Sequence, residues 1–286
     1  MEIFSEIEPL RAFLRKKRGA DVSIGLVPTM GALHEGHMAL IRSSKAENEL
    51  TVCTIYVNPT QFNNPTDLDN YPRTADRDKE LLIQGGADIL FMPANSEMYS
   101  GDTSLSIDFG QLDKVLEGKF RPGHFSGVAL VVSKLFNIIQ PTRAYFGQKD
   151  YQQFQIINKL KEDLKFDLDL RSVPIVREPS GLAMSSRNQR LNQEQKKNAL
   201  LLFESLTFAK SEILNGVDFA AVKKEVESRF EKHDRANLEY FELAYKGTLQ
   251  PFDKSSPLKE AILLIAAFVG DVRLIDNMLL FEENEN

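Results

Sequence analysis

Short apolar runs alternate along the chain with stretches in which apolar residues recur every three or four positions. Residues 22–27, 50–57, 89–92, 144–146 and 168–173 read as buried strands. Between them, residues 38–48, 74–84, 127–139 and 151–164 carry helical spacing. This alternation predicts an α/β fold: a Rossmann-like, doubly wound parallel sheet with helices on both faces. In such sheets ligands collect beyond the carboxyl ends of the strands, and the polar clusters of this chain lie in the corresponding loops. After about residue 176 the pattern changes. A Pro-Ser-Gly turn at 179–181 precedes a long helical pattern at 193–214, a charged helix at 220–232 and strands at 238–244 and 261–268. The chain is therefore expected to form two domains, 1–176 and a smaller α+β domain at 177–286.

Composition narrows the classes. With 286 residues and 42% hydrophobic content the chain can bury a substantial core. A formal charge of −6 leaves no overall electrostatic footprint for nucleic acid, so any phosphate site must be built from a few placed cations. Cys53 is the one cysteine, which excludes an internal disulfide or a cysteine-rich zinc cluster and suits a reducing cytoplasm. The acidic N-terminus lacks the basic and apolar regions of a signal peptide, and no run of about 18 apolar residues is present, so no membrane partner is expected. The acidic tail at 282–286 is expected to fray.

Five polar clusters carry the candidate chemistry. The first runs Pro28-Thr-Met-Gly-Ala-Leu-His-Glu-Gly-His37 at a strand-to-helix junction, where backbone N–H groups and the helix dipole favour anions. Gly31 and Gly36 let the backbone approach a ligand, and His34 and His37 share one face of the first helical turn. The second, Asn58-Pro-Thr-Gln-Phe62, offers the amides of Asn58 and Gln61 to a small polar substrate, or is simply a capped loop. In the third, around Arg121-Pro-Gly-His124, both Arg121 and His124 can approach a phosphate or engage in surface salt bridges. The fourth, Phe146-Gly-Gln-Lys-Asp-Tyr-Gln-Gln153, ends a strand with a cation and an anion. Lys149 suits a carboxylate or phosphate, and Asp150 suits ribose hydroxyls or a helix cap. The fifth, Gly181-Leu-Ala-Met-Ser-Ser-Arg-Asn188, brings two hydroxyls and a guanidinium, which suit the charge on a phosphoryl group in transfer, and can close as a loop over a nucleotide.

In their order and spacing these clusters closely resemble the pantothenate synthetase, or pantoate–beta-alanine ligase, family over at least residues 22–190. The His-x-Gly-His element alone marks the wider nucleotidyltransferase and class I synthetase superfamily, whose tRNA ligases fit poorly with the acidic charge and missing anticodon-binding extension. The resemblance implies ATP-dependent condensation of (R)-pantoate with beta-alanine through a pantoyl-adenylate, releasing AMP and pyrophosphate. It implies that ATP is held by Met30, Gly31, Ala32, Leu33, His34, Glu35, Gly36 and His37, by Gly147, Gln148, Lys149 and Asp150, by Val176, and by Met184, Ser185, Ser186 and Arg187. His37 takes the role the family gives to a proton donor, here understood as electrostatic. Lys149 bridges the pantoate carboxylate and the α-phosphate, and Asp150 takes the ribose. Gln61 and Gln153 grip pantoate, with Gln61 also beside beta-alanine. Mg²⁺ is expected on the β- and γ-phosphates, with few protein ligands. The resemblance further implies a homodimer, with 1–176 as the nucleotide- and pantoate-binding domain and 177–286 as a lid. Two departures stand out: Gln148 replaces a Glu common in relatives, and residues 63–69 differ from the expected glycine-rich or acidic loop.

Overall fold

A computed structural model describes the chain except for Ser100, Asp102, Asp234 and residues 282–286, so the expected fraying of the acidic tail lies outside the described residues. It resolves into two compact units. The first comprises Met1–Gln148 and Gln152–Ile175, the second Lys149–Tyr151 and Val176–Asn286.

The first unit is built on six parallel strands: β1 (Glu2–Phe4), β2 (Ile24–Thr29), β3 (Leu50–Ile55), β4 (Ile89–Phe91), β5 (Arg143–Gly147) and β6 (Asp169–Val173). Their order across the sheet is β1-β4-β3-β2-β5-β6. All six residues of β3 are buried, as expected for a central parallel strand covered on both faces. The main helices of this unit are α1 (Ile7–Arg18), α2 (Glu35–Glu47), α3 (Ala75–Gln84), α4 (His124–Ile139) and α5 (Tyr151–Leu164). Because successive side chains of a strand point to opposite faces, the sheet divides its apolar residues between two cores. Leu26, Val52, Ile89, Phe91, Ala144 and Phe146 pack with Leu10 and Leu14 of α1, the apolar side of α4, and Ile157 and Leu160 of α5. Val27, Cys53, Leu90 and Tyr145 pack with Met38 and Ile41 of α2 and Leu82 of α3. The doubly wound arrangement read from the sequence is thus the observed one. Strands β3 and β4 lie to one side of β2, β5 and β6 to the other, so connections diverge between β2 and β5. The loops after these two strands flank the crevice where open α/β sheets hold ligands.

The second unit packs helices α6 (Gln193–Leu214) and α7 (Phe219–Glu231) on an antiparallel sheet of β7 (Ala236–Tyr245), β8 (Ala261–Val269) and β9 (Val272–Leu279) in that order. Asn192 opens α6 with a capping box: its side chain accepts from the Gln195 N–H at 2.8 Å, and the Gln195 side chain accepts from the Asn192 N–H at 2.9 Å. Three of the elements named above escape the sequence pattern. β1 is a three-residue edge strand with only Phe4 partly buried, and α1 buries only Leu10 and Leu14 fully among its charges. In β9 two adjacent polar residues, Asp276 and Asn277, are buried and break the alternation that would signal a strand.

Candidate active site

The turn after β2 is held from three sides. The Thr29 hydroxyl donates to the Thr54 carbonyl at 2.7 Å and accepts from the Gly31 N–H at 3.2 Å. Gly31 (φ 82°) and Ala32 (φ 49°) are both left-handed, a conformation that costs a non-glycine residue at Ala32 and must be enforced. Asp78, buried in the first turn of α3, enforces it: its two carboxylate oxygens accept from the Ala32 and Leu33 N–H groups at 2.9 and 2.8 Å, and Thr74 donates at 3.1 Å. The chain then enters α2 through His34 as N-cap. The Nδ1 of His34 accepts from the Gly36 N–H at 3.1 Å, and the Nδ1 of His37 accepts from the His34 N–H at 3.3 Å. The two rings lie 4.0 Å apart between centroids. An imidazole nitrogen that accepts a backbone N–H carries no hydrogen, so each neutral ring holds its hydrogen on Nε2. Glu35 pairs with Arg42 on the exposed side of α2.

A second network surrounds Gln61. Asn58 is 1% exposed, and its amide donates to the Gln61 Oε1 at 3.2 Å and the Gly127 carbonyl at 3.1 Å. Its oxygen accepts from Tyr99 at 2.8 Å and Thr60 at 3.1 Å, so the Asn58 side chain is engaged within the protein and orients Gln61. The Gln61 Nε2 lies 3.0 Å from the Met30 Sδ, joining this turn to the histidine loop. His124 sits below: its Nδ1 is 2.8 Å from the Gln61 carbonyl, and its Nε2 is 3.2 Å from the Arg121 guanidinium. Arginine only donates and a carbonyl only accepts, so His124 carries its hydrogen on Nδ1 and links Arg121 to the Gln61 backbone. Burial pushes the phenols of Tyr56 and Tyr99 above their ordinary value, which keeps Tyr99 a neutral donor to Asn58. Gln153 is half-buried in α5, while Gly147 and Gln148 end and follow β5.

The remaining residues gather in the second unit. Lys149 Nζ is 3.8 Å from the Asp150 carboxylate. The Met184 N–H donates to the Val176 carbonyl at 3.0 Å, and a bridge pairs Arg177 with Ala183, so 176–184 doubles back through the turn at Gly181. Ser185 follows as the N-cap of a short 3₁₀ turn, Ser186–Arg190, its hydroxyl accepting from the Arg187 N–H at 3.2 Å. Asn188 braces the loop by donating to the Ala183 carbonyl at 3.0 Å and to Glu178 at 3.2 Å. Sequence-picked residues therefore form two sets: Met30, His34, His37, Asn58, Gln61, Arg121 and His124 in the first unit, and Lys149, Asp150, Val176 and Met184 to Arg187 in the second.

Residues 2–279 match the pantoate-beta-alanine ligase family. The chain belongs to that family. Two proteins named pantothenate synthetase, from Thermotoga neapolitana and Aquifex aeolicus, are each 45% identical to this pantoate-beta-alanine ligase family member. The first alignment covers 98% of this chain and 100% of the relative, the second 96% and 97%. The pantothenate synthetase structure from Thermus thermophilus superposes with a TM-score of 0.91 at 38% identity, covering 99% of this chain and 100% of that one. The pantoate-beta-alanine ligase from Francisella tularensis, solved in complex with beta-gamma ATP and beta-alanine, gives a TM-score of 0.80 at 36% identity over 98% of each chain.

Sequence reasoning missed the residues that hold the ligase-family motifs in place. Asp78 lies in a helix whose apolar spacing hides a buried carboxylate, and Tyr99 falls in an unpatterned stretch. Gln152, beside Gln153, is buried and ties down residues 112–117: it accepts from the Glu117 N–H at 2.9 Å and donates to the Leu112 and Val115 carbonyls at 2.7 and 2.9 Å. Among the described residues no three His, Cys, Asp or Glu side chains converge as metal ligands, and no helix is long and apolar enough to cross a membrane.

Proposed function

We propose that this chain condenses (R)-pantoate with beta-alanine using ATP, forming pantothenate, AMP and pyrophosphate through a pantoyl-adenylate. The supporting observation is the double-histidine cap at the β2–α2 junction, whose Nδ1 atoms are taken by backbone and whose hydrogens fall on Nε2. In the first half-reaction the pantoate carboxylate attacks the α-phosphorus and pyrophosphate leaves. Met30 to His37 hold the phosphates, and His34 and His37 donate through Nε2 as charge accumulates, a role that needs no proton to leave the ring. Gln61, oriented by Asn58, and Gln153 grip pantoate, while Arg121 and His124 support Gln61 from behind. Lys149 neutralises the approaching carboxylate and α-phosphate, Asp150 takes the ribose, and Val176 meets the adenine through its backbone. Met184, Ser185, Ser186 and Arg187 meet the triphosphate. In the second half-reaction the neutral amine of beta-alanine attacks the adenylate carbonyl and AMP departs.

At the histidine turn the backbone N–H groups are engaged by Thr29, Asp78 and the two imidazole Nδ1 atoms, so the donors that suit phosphate oxygens are the imidazole Nε2–H groups, and the carboxylate beneath the turn, Asp78, is consumed by the backbone. Mg²⁺ fits this set as an ion carried on the β- and γ-phosphates, where it would neutralise the leaving pyrophosphate. Residues 1–176 serve as the nucleotide- and pantoate-binding domain and 177–286 as its lid. The chain works in the cytoplasm as a homodimer, for which sedimentation at twice the chain mass is the expected result. The deciding assay supplies ATP, Mg²⁺, pantoate and beta-alanine and follows AMP. Release that requires some other acid would rule out pantoate as the substrate.

A further inference from the structure

We propose that Asp276 and Asn277, adjacent in β9, are positioning residues that fasten both ATP-directed segments of the second unit, Lys149–Tyr151 and residues 176–187. The inference rests on the ligase reading above. A strand packed on one face should alternate apolar and polar residues, yet both of these are buried, at 4% and 2% exposure. Two consecutive buried polar side chains are costly unless their hydrogen bonds are made. Here several of those bonds reach loops distant in the chain. The Asn277 amide donates to the Lys149 carbonyl at 2.9 Å, across 128 residues of chain. The Asp276 carboxylate receives the fork of Arg177 at 2.6 and 2.9 Å, across 99 residues. The same carboxylate accepts from the Asn277 N–H at 2.8 Å, which locks the two side chains to each other.

From Arg177 the restraint passes along the hairpin. Its guanidinium also donates to the Gly181 carbonyl at 3.1 Å and lies 4.3 Å from the centre of the Phe203 ring, so it is held from several sides. The residue before it pairs with Met184, the first residue of the triphosphate loop. One dipeptide near the end of the chain thus sets the backbone at Lys149 and the base of the 184–187 loop. Misplacing a reacting or charge-stabilising group by about 1 Å can cost about 10²-fold in rate.

The test is a double-mutant cycle read by pantoate-dependent exchange of labelled pyrophosphate into ATP, with melting temperature measured for every variant. Asn277→Ala is expected to lower the exchange kcat by about tenfold to 10²-fold. In a Lys149→Ala background the same change should cost at least about threefold less, because the part of the loss that runs through the Lys149 side chain is already gone. KM for beta-alanine in the full reaction should stay within about twofold, since the amine step does not use this restraint. Equal losses in both backgrounds, or an unchanged kcat, would overturn the proposal by making Asn277 a packing residue. If Asn277→Ala does not fold, Asp276→Asn crossed with Arg187→Ala gives the same contrast, and failure of both to fold overturns the positioning role in favour of a purely structural one. The unmutated chain separates this inference from the one it rests on. If it makes no pantothenate, the ligase reading falls and takes this with it; if it is active and the cycle is additive, only the positioning role falls.

Discussion

At the scale of single residues, the histidine turn works because its backbone donors are engaged before a ligand arrives. His34 and His37 receive N–H groups on Nδ1, and Asp78 takes those of Ala32 and Leu33. His37→Ala is expected to slow adenylation by about 10²-fold or more, the scale for losing one donor to a developing charge. Single-turnover kinetics like those of the unmutated chain would remove His37 from the mechanism. Asp78→Asn acts on the same turn from behind. Its new amide can oppose one of two N–H donors, so about 1–3 kcal/mol of stability should be lost, and KM for ATP should rise as Ala32 leaves its left-handed conformation. Thermal unfolding and ATP-dependent kinetics check both parts. An Asp78→Asn protein with unchanged KM for ATP would show that the turn keeps its shape without the carboxylate. The spacing of the histidines was legible in the chain, but the carboxylate beneath them was not. Nothing local in residues 74–84 distinguishes a buried Asp78 from a solvated one.

Among elements, the helix α4 decides where Gln61 lies. Gly127, in its first turn, faces the 59–61 turn so closely that a Cβ there would stand 2.3 Å from the Thr60 carbonyl oxygen and 2.8 Å from the Gln61 Cα. Its carbonyl also accepts from Asn58, so helix and turn are held at a single separation. Gly127→Ala must therefore push backbone, because no flexible side chain is available to yield. A rise in KM for pantoate of about tenfold is expected, with loss of about 1–3 kcal/mol in stability, and steady-state kinetics beside thermal unfolding would measure both. Pantoate kinetics unaltered by the change would dissociate this turn from substrate binding. Helical spacing announced α4 itself, since twelve of its sixteen residues are buried and the pattern is strong. Its approach to a turn some 65 residues earlier is a tertiary fact that no periodicity carries.

For the molecule as a whole, the double-sided sheet places Cys53 in a dry core, fully buried at the centre of β3. Burial pushes its thiol from 9.0 up to about 12, so the folded state holds the proton more tightly than the unfolded chain. The stability this provides is complete below about pH 9.0 and is lost as pH rises towards 12, by up to about 1.4 kcal/mol per pH unit. Urea unfolding between pH 8 and 11 should show the decline starting near pH 9 in the unmutated chain and later in Cys53→Ala, where only groups such as the Tyr145 phenol, raised to about 12 by burial, remain. Identical pH profiles would mean that the thiol titrates normally. The chain alone determined its fold class and the ordered clusters that mark its family, because strand and helix leave periods of 2 and 3.6 and because glycines and histidines at a turn are adjacent in sequence. Only tertiary structure decided which side chains stand behind those clusters. Asp78, Asp276 and Asn277 outside the clusters, and Asn58 and Gln152 within them, act on backbone far from them in sequence, and a buried polar residue is written in the same letters as an exposed one until the fold removes its water.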